Sequence, residues 1–170
     1  MKIIALRGDI TKVEVDAVVN PADAREEPGK LGRALLKRGG REIQAEARAR
    51  GPLRVGEAIL TTGGRLKCRY LIHAPVGPTG KFAEGADLKR LDPEGLRQST
   101  LAALRCAAGS RLRSVAIPAL SREEPATRAL LTALAEFDKE AGAQQLTEVF
   151  IVGEDGEVVS ALKRFISSGN

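Results

Sequence analysis

Short apolar runs alternate along the chain with longer stretches whose apolar positions recur every three or four residues. That alternation predicts strands separated by helices. Lys2 to Leu6 (KIIAL) reads as a first strand, followed at once by Gly8-Asp9-Ile10-Thr11. Asp16 to Asn20 (DAVVN) is a short continuous apolar run, as in a strand buried on both faces, and Pro21 stops it. Leu31 to Arg38 and Glu42 to Arg50 have helical spacing, broken by Gly39-Gly40. Glu57 to Thr62 and Arg69 to Ala74 read as strands around the Gly63-Gly64 turn. Pro75 to Gly95, with its glycines and prolines, reads as an irregular crossover.

Beyond it, Gly95 to Ala108 predicts a helix with Leu101, Leu104 and Ala108 on its apolar face, and Arg97 where that face meets solvent. Ser114 to Ile117 predicts a buried strand ending at Pro118. A helix beginning at Pro125 places Leu130, Leu134 and Phe137 on one side. Glu148 to Val152 predicts a last strand, and Val158, Leu162, Phe165 and Ile166 stripe a final helix. Strands alternating with helices imply an α/β fold with a largely parallel sheet covered on both faces. Ligands of such folds bind in the loops beyond the carboxyl ends of the strands, here after residues 6, 20, 74 and 117.

The 170 residues suit a single domain spanning 1–170. Hydrophobic residues make up 43% and charged residues 29%, which excludes disordered and low-complexity classes. Tryptophan is absent and aromatics are 3%, so the core is built from Ala, Val, Leu and Ile, and base-stacking platforms are disfavoured. The net charge of +5 favours anionic partners, although interspersed acids make a solvated surface the simpler reading. Two cysteines and one histidine make neither a disulfide framework nor a zinc site, and no cofactor is expected. With no signal-like N-terminus and no apolar run of membrane length, the expectation is a cytoplasmic protein without a membrane partner.

Few residues carry a chemical signal on their own. Asn20, at the end of a buried strand, suits a ligand's hydrogen bonds and the ordering of its own turn equally well. Asp9 suits an amine or hydroxyl, but a turn or helix-cap role is the simpler reading. Pro28 to Leu35 leads glycines into a helix, where N–H groups and the helix dipole favour an anion. His73, in an apolar strand, reads as structural. Cys68 and Cys106 lack activating neighbours, and Ser121 lacks a nucleophile elbow.

Taken in order, these segments resemble the macro domain, an ADP-ribose-binding module. The resemblance rests on Gly8-Asp9-Ile10-Thr11, on Val15-Asp16-Ala17-Val18-Val19-Asn20-Pro21-Ala22-Asp23 and on Gly56-Glu57-Ala58. It continues through Ile72-His73-Ala74-Pro75-Val76-Gly77-Pro78 and Ser114-Val115-Ala116-Ile117-Pro118-Ala119-Leu120-Ser121. It implies a three-layer α/β/α sandwich on a mixed, largely parallel sheet. It also implies that Asp9 holds the adenine amine with help from the Ile10 backbone, and that Asn20 and Asp23 face the distal ribose. Gly29, Lys30, Leu31 and Gly32, in the segment running to Ala34, would cradle the diphosphate. Ala119, Leu120 and Ser121 would lead the loop that closes over it.

The chain departs from the family pattern in three places. Asp23 replaces the second Asn of N-A-A-N. The glycine run before the first helix is reduced to Glu26-Glu27-Pro28-Gly29-Lys30-Leu31-Gly32. The glycine-rich loop after the fifth strand becomes Ser121-Arg122-Glu123-Glu124-Pro125. Gly32 also stands where de-ADP-ribosylating members carry an Asp. The resulting expectation is binding of ADP-ribose, or a related nucleotide or ADP-ribosylated ligand, without catalysis. The alternatives are a hydrolase of ADP-ribosyl esters, O-acetyl-ADP-ribose or ADP-ribose phosphate, with Asp23 as its base, and a scaffold that has lost nucleotide binding and engages nucleic acid or protein. No oligomeric state is read from the sequence.

Overall fold

A computed structural model describes residues 1–21, 29–76, 92–120 and 123–167. Six strands form one sheet: β1 (Lys2–Arg7), β2 (Ala17–Asn20), β3 (Ile59–Thr62), β4 (Tyr70–His73), β5 (Ser114–Pro118) and β6 (Glu148–Gly153). Their spatial order is β1-β6-β5-β2-β4-β3. All neighbours are parallel except β3 and β4, which pair antiparallel with Ile59 opposite His73 and Thr62 opposite Tyr70.

The central strands explain their own composition. β2 is buried at all four positions, because helices cover both of its faces, and Asn20 at its end is the one polar residue of its AVVN sequence. Strand alternation sends Val19, Ile72, Val115, Ile117, Val149 and Ile151 into one core. That core is closed by α3 (Pro93–Gly109), α4 (Glu124–Phe137) and α5 (Gly156–Ser167). Val18, Leu71, Ala116 and Val152 face the other way and meet Leu35 of α1 (Lys30–Gly39) and Ile43 of α2 (Glu42–Arg50). The architecture is thus the expected three-layer α/β/α sandwich on a mixed, mostly parallel sheet.

Helix boundaries follow local chemistry. α3 starts two residues earlier than the periodicity predicts, because Asp92 accepts from the N–H groups of Glu94 (3.2 Å) and Gly95 (3.0 Å), with Pro93 in the first turn. The expected crossover from Pro75 to Gly95 therefore gives way to helix at Pro93, and its residues 77–91 lie outside the described residues. On α4, Leu130, Leu134 and Phe137 are buried as their spacing predicts. On α5, Val158 and Leu162 are buried while Phe165 and Ile166 are only half-buried. The strand expected from Glu57 is shorter, beginning at Ile59, because Glu57 instead turns back to accept from the Arg54 N–H at 2.8 Å.

The α1–α2 corner depends on glycine. Gly64, at φ +56°, packs so closely that a Cβ there would lie 2.2 Å from the Gly39 carbonyl oxygen. This approach lets the Arg65 N–H donate to that same carbonyl at 2.8 Å, pinning the β3–β4 turn to the end of α1. Among the described residues no helix is long and apolar enough to cross a membrane.

Candidate functional site

The carboxyl ends of β1, β2, β4, β5 and β6 gather at one edge of the sheet, and most of the residues singled out in the sequence lie there. Asp9 follows β1 and caps a single 3-10 turn, Ile10–Lys12. Its Oδ1 accepts from the Thr11 N–H (3.0 Å) and hydroxyl (2.6 Å). The capping role is therefore real, but it occupies only one oxygen. Oδ2 faces Arg38 Nη2 at 3.3 Å and Lys12 Nζ at 3.8 Å, and the side chain stays about 30% exposed. The Thr11 hydroxyl above all, then its N–H and the charges of Arg38 and Lys12, hold this carboxyl below the usual range against partial desolvation. The result is a carboxylate, fixed in orientation, at the mouth of the sheet. The Gly8 N–H donates to the Gly153 carbonyl at 3.0 Å, which keeps this corner against the end of β6. Ile10 is buried beneath it.

Asn20 ends β2 opposite His73 of β4, on the face covered by α1 and α2. Its amide nitrogen lies 3.2 Å from His73 Nδ1, and Thr61 Oγ1 lies 2.9 Å from His73 Nε2. With the amide as donor, Nδ1 accepts, the ring proton sits on Nε2 and is donated to Thr61, and Thr61 in turn donates to the Thr62 carbonyl at 3.3 Å. Three adjacent strands are thereby linked by one directional hydrogen-bond chain. His73 is 3% exposed, and burial lowers its pKa from 6.5 to about 4, so the ring is neutral. This matches the structural reading of His73. For Asn20 the structure shows that its amide also orders the sheet.

Gly29 precedes α1 without a side-chain cap, and the Arg33 N–H bonds to its carbonyl at 2.9 Å. The N–H groups of Lys30, Leu31 and Gly32 belong to the first turn, whose donors have no intrahelical acceptors. Lys30 is exposed, Leu31 packs partly on the α1 core, and Gly32 is buried. Across the site, the Ala119 N–H is already given to the Val152 carbonyl at 2.8 Å, so Ala119 contributes shape rather than a donor. Leu120 lies half-buried over Val76, Leu96 and Ala126. It forms one wall of a shallow apolar cleft, which Val19, Ala74 and Pro118 also line from the face opposite Asn20. Asp23 and Ser121 lie outside the described residues.

Sequence reasoning missed two participants. Arg38 reaches Asp9 from the far end of α1, and no spacing rule connects positions 29 residues apart. Thr11 was legible, since Asp-x-Thr is the pattern of a side-chain cap. Burial raises the pKa of both Cys68 and Cys106, leaving neither as a ready thiolate.

Residues 19–126 match the model of the family described as "Macro domain". An uncharacterized protein of Aquifex aeolicus is 34% identical over 173 residues, covering 98% of each chain. An uncharacterized protein of Sulfolobus acidocaldarius is 42% identical over 126 residues, covering 71% of this chain and 65% of its own, so the match spans less than two thirds of that relative. Among solved structures, the Trypanosoma brucei macrodomain in complex with ADP-ribose superposes with a TM-score of 0.79 at 26% identity, covering 96% of this chain and 68% of that one.

Proposed function

Because this chain belongs to the macro domain family, we propose that it binds ADP-ribose, or a related nucleotide or ADP-ribosylated ligand, and does not cleave it. The observation that carries this reading is the Asp9 carboxylate, ionised, oriented by Thr11 and part-exposed at the strand ends. In this pose Asp9 accepts from the adenine amine beside the Ile10 backbone. By the resemblance, Asn20 and Asp23 would face the distal ribose. The first turn of α1, from Gly29 through Lys30, Leu31 and Gly32, offers N–H groups and the positive end of the helix dipole to the diphosphate. By the resemblance, Ala119, Leu120 and Ser121 would lead the loop that closes over it. The likeness to a macrodomain solved with ADP-ribose supports this assignment. By the resemblance, Gly32 stands where de-ADP-ribosylating members often carry an Asp, which supports binding without hydrolysis.

Calorimetric titration with ADP-ribose, with AMP and ADP as controls, tests the proposal. Asp9→Ala should weaken ADP-ribose binding by about 1–3 kcal/mol, the range for losing a hydrogen bond to a charged group. Asp9→Asn retains an oxygen to cap the 3-10 turn and separates loss of charge from loss of the turn. Unchanged affinity in both variants overturns the pose. Turnover of O-acetyl-ADP-ribose or ADP-ribose phosphate above blank replaces it with a hydrolase. Absence of heat at millimolar ligand from folded protein leaves the scaffold reading.

A further inference from the structure

The charge of this protein is segregated by layer. Residues 29–69 carry eleven Lys and Arg against Glu42, Glu46 and Glu57, a net of +8, so the remainder of the chain carries −3 within the total of +5. All eleven cations are exposed. They sit on α1, on α2 and on the segment through β3 to the start of β4, including the turn that the Arg65–Gly39 hydrogen bond holds against α1. Acids from the segment before β2 offset part of this charge, with Asp9 meeting Arg38, Glu14 meeting Lys67 and Asp16 meeting Arg69. On the opposite layer, the α3 arginines are matched by carboxylates: Arg97 bonds Glu94 and Glu136, and Arg105 bonds Glu140. The asymmetry is therefore a property of the folded molecule, and the overall charge does not reveal it.

We propose that the outer face of α1, α2 and the β3–β4 turn binds the phosphate backbone of a nucleic-acid duplex, independently of the nucleotide site. Two observations select this partner. Residues 29–69 contain no Phe, Tyr or Trp, so the face has no platform on which unpaired bases would stack. The side chains exposed among its cations are small or polar, with Ala45, Ala49 and Pro52 the apolar exceptions, so nothing there would anchor in a bilayer. What remains is a set of long flexible cations suited to phosphate contacts without sequence readout. Lys37 in the last turn of α1, Arg41 at the start of α2 and Arg65, whose N–H is held by the Gly39 carbonyl, meet at one corner of it.

The test is fluorescence anisotropy of short labelled duplex DNA and duplex RNA, with a labelled single strand and anionic vesicles as comparison arms, across a salt series. The variant Lys37→Gln, Arg41→Gln, Arg48→Gln, Arg65→Gln removes four cations that the nucleotide site does not use. A control variant, Lys139→Gln, Lys163→Gln, Arg164→Gln, removes charge from the other layer. The expected result is duplex binding whose salt slope falls by roughly 3–4 in the first variant, at about 0.9 per phosphate contact, and hardly changes in the control. ADP-ribose titration of the first variant should match wild type, which also shows that it is folded. Equal losses in both variants, tighter binding to the single strand or to vesicles, or no duplex binding at low salt each overturn the proposal.

Discussion

Replacing His73 with glutamine removes the one histidine of the chain and should flatten the acid limb of its stability curve. The folded ring has its pKa lowered from 6.5 to about 4 by burial. An unfolded chain therefore takes up a proton near pH 6.5 that the folded chain refuses until about pH 4. Because the folded value lies below the unfolded one, acidification through this window favours the unfolded state. The wild type should lose up to about 3 kcal/mol between pH 7 and pH 4 from this group alone. Urea melts at intervals across that range measure it directly. Wild type minus His73→Gln should slope by about 1.4 kcal/mol per pH unit near pH 5. The carboxylates held below their usual range, Asp9, Glu14, Glu94 and Glu140, remain in both proteins and cancel in the difference. Parallel curves would refute the reasoning. Should the variant fold poorly, the imidazole proton signals of the wild type decide the matter, since a lone histidine titrating near 6.5 in folded protein contradicts a buried neutral ring.

Two further substitutions probe the packing. Gly64→Ala combines a left-handed φ with a Cβ 2.2 Å from backbone, and should cost well over about 1 kcal/mol, read as a lowered urea midpoint. Phe137→Ala empties the largest fully buried side chain among the described residues and should cost about 3–5 kcal/mol in the same assay, a smaller loss indicating collapse of α4 onto the sheet.

Legibility in the sequence followed how local each cause is. β2 and β5 were readable because a strand between two helical layers must be apolar at nearly every position, as Ala17-Val18-Val19 and Val115-Ala116-Ile117 are. The single-faced helix α4 was readable for the matching reason, its stripe at Leu130, Leu134 and Phe137. The start of α3 was missed because its cap, Asp92, sits in a stretch whose prolines and glycines suggest only loop. At the site, Asp9 and Asn20 could be singled out as residue types, but their surroundings could not. The Arg38 charge on Asp9 and the Thr61–His73–Asn20 chain arise from strand neighbours and helix ends that only the tertiary register brings together.

The sheet order carries a consequence for biosynthesis. Among the described residues β1 pairs only with β6, Lys2 lying opposite Glu148. At about 5–20 residues per second, the ribosome takes roughly 7–30 s after making β1 to supply its partner. During that interval β2, β4 and β5 can already associate, while β1 waits as a lone segment whose Lys2 and Arg7 discourage pairing with other chains. Asp9 hangs directly from β1, so it reaches its place only when β6 has emerged. A nascent chain lacking β6 would hold most of the central sheet without the carboxylate corner in place.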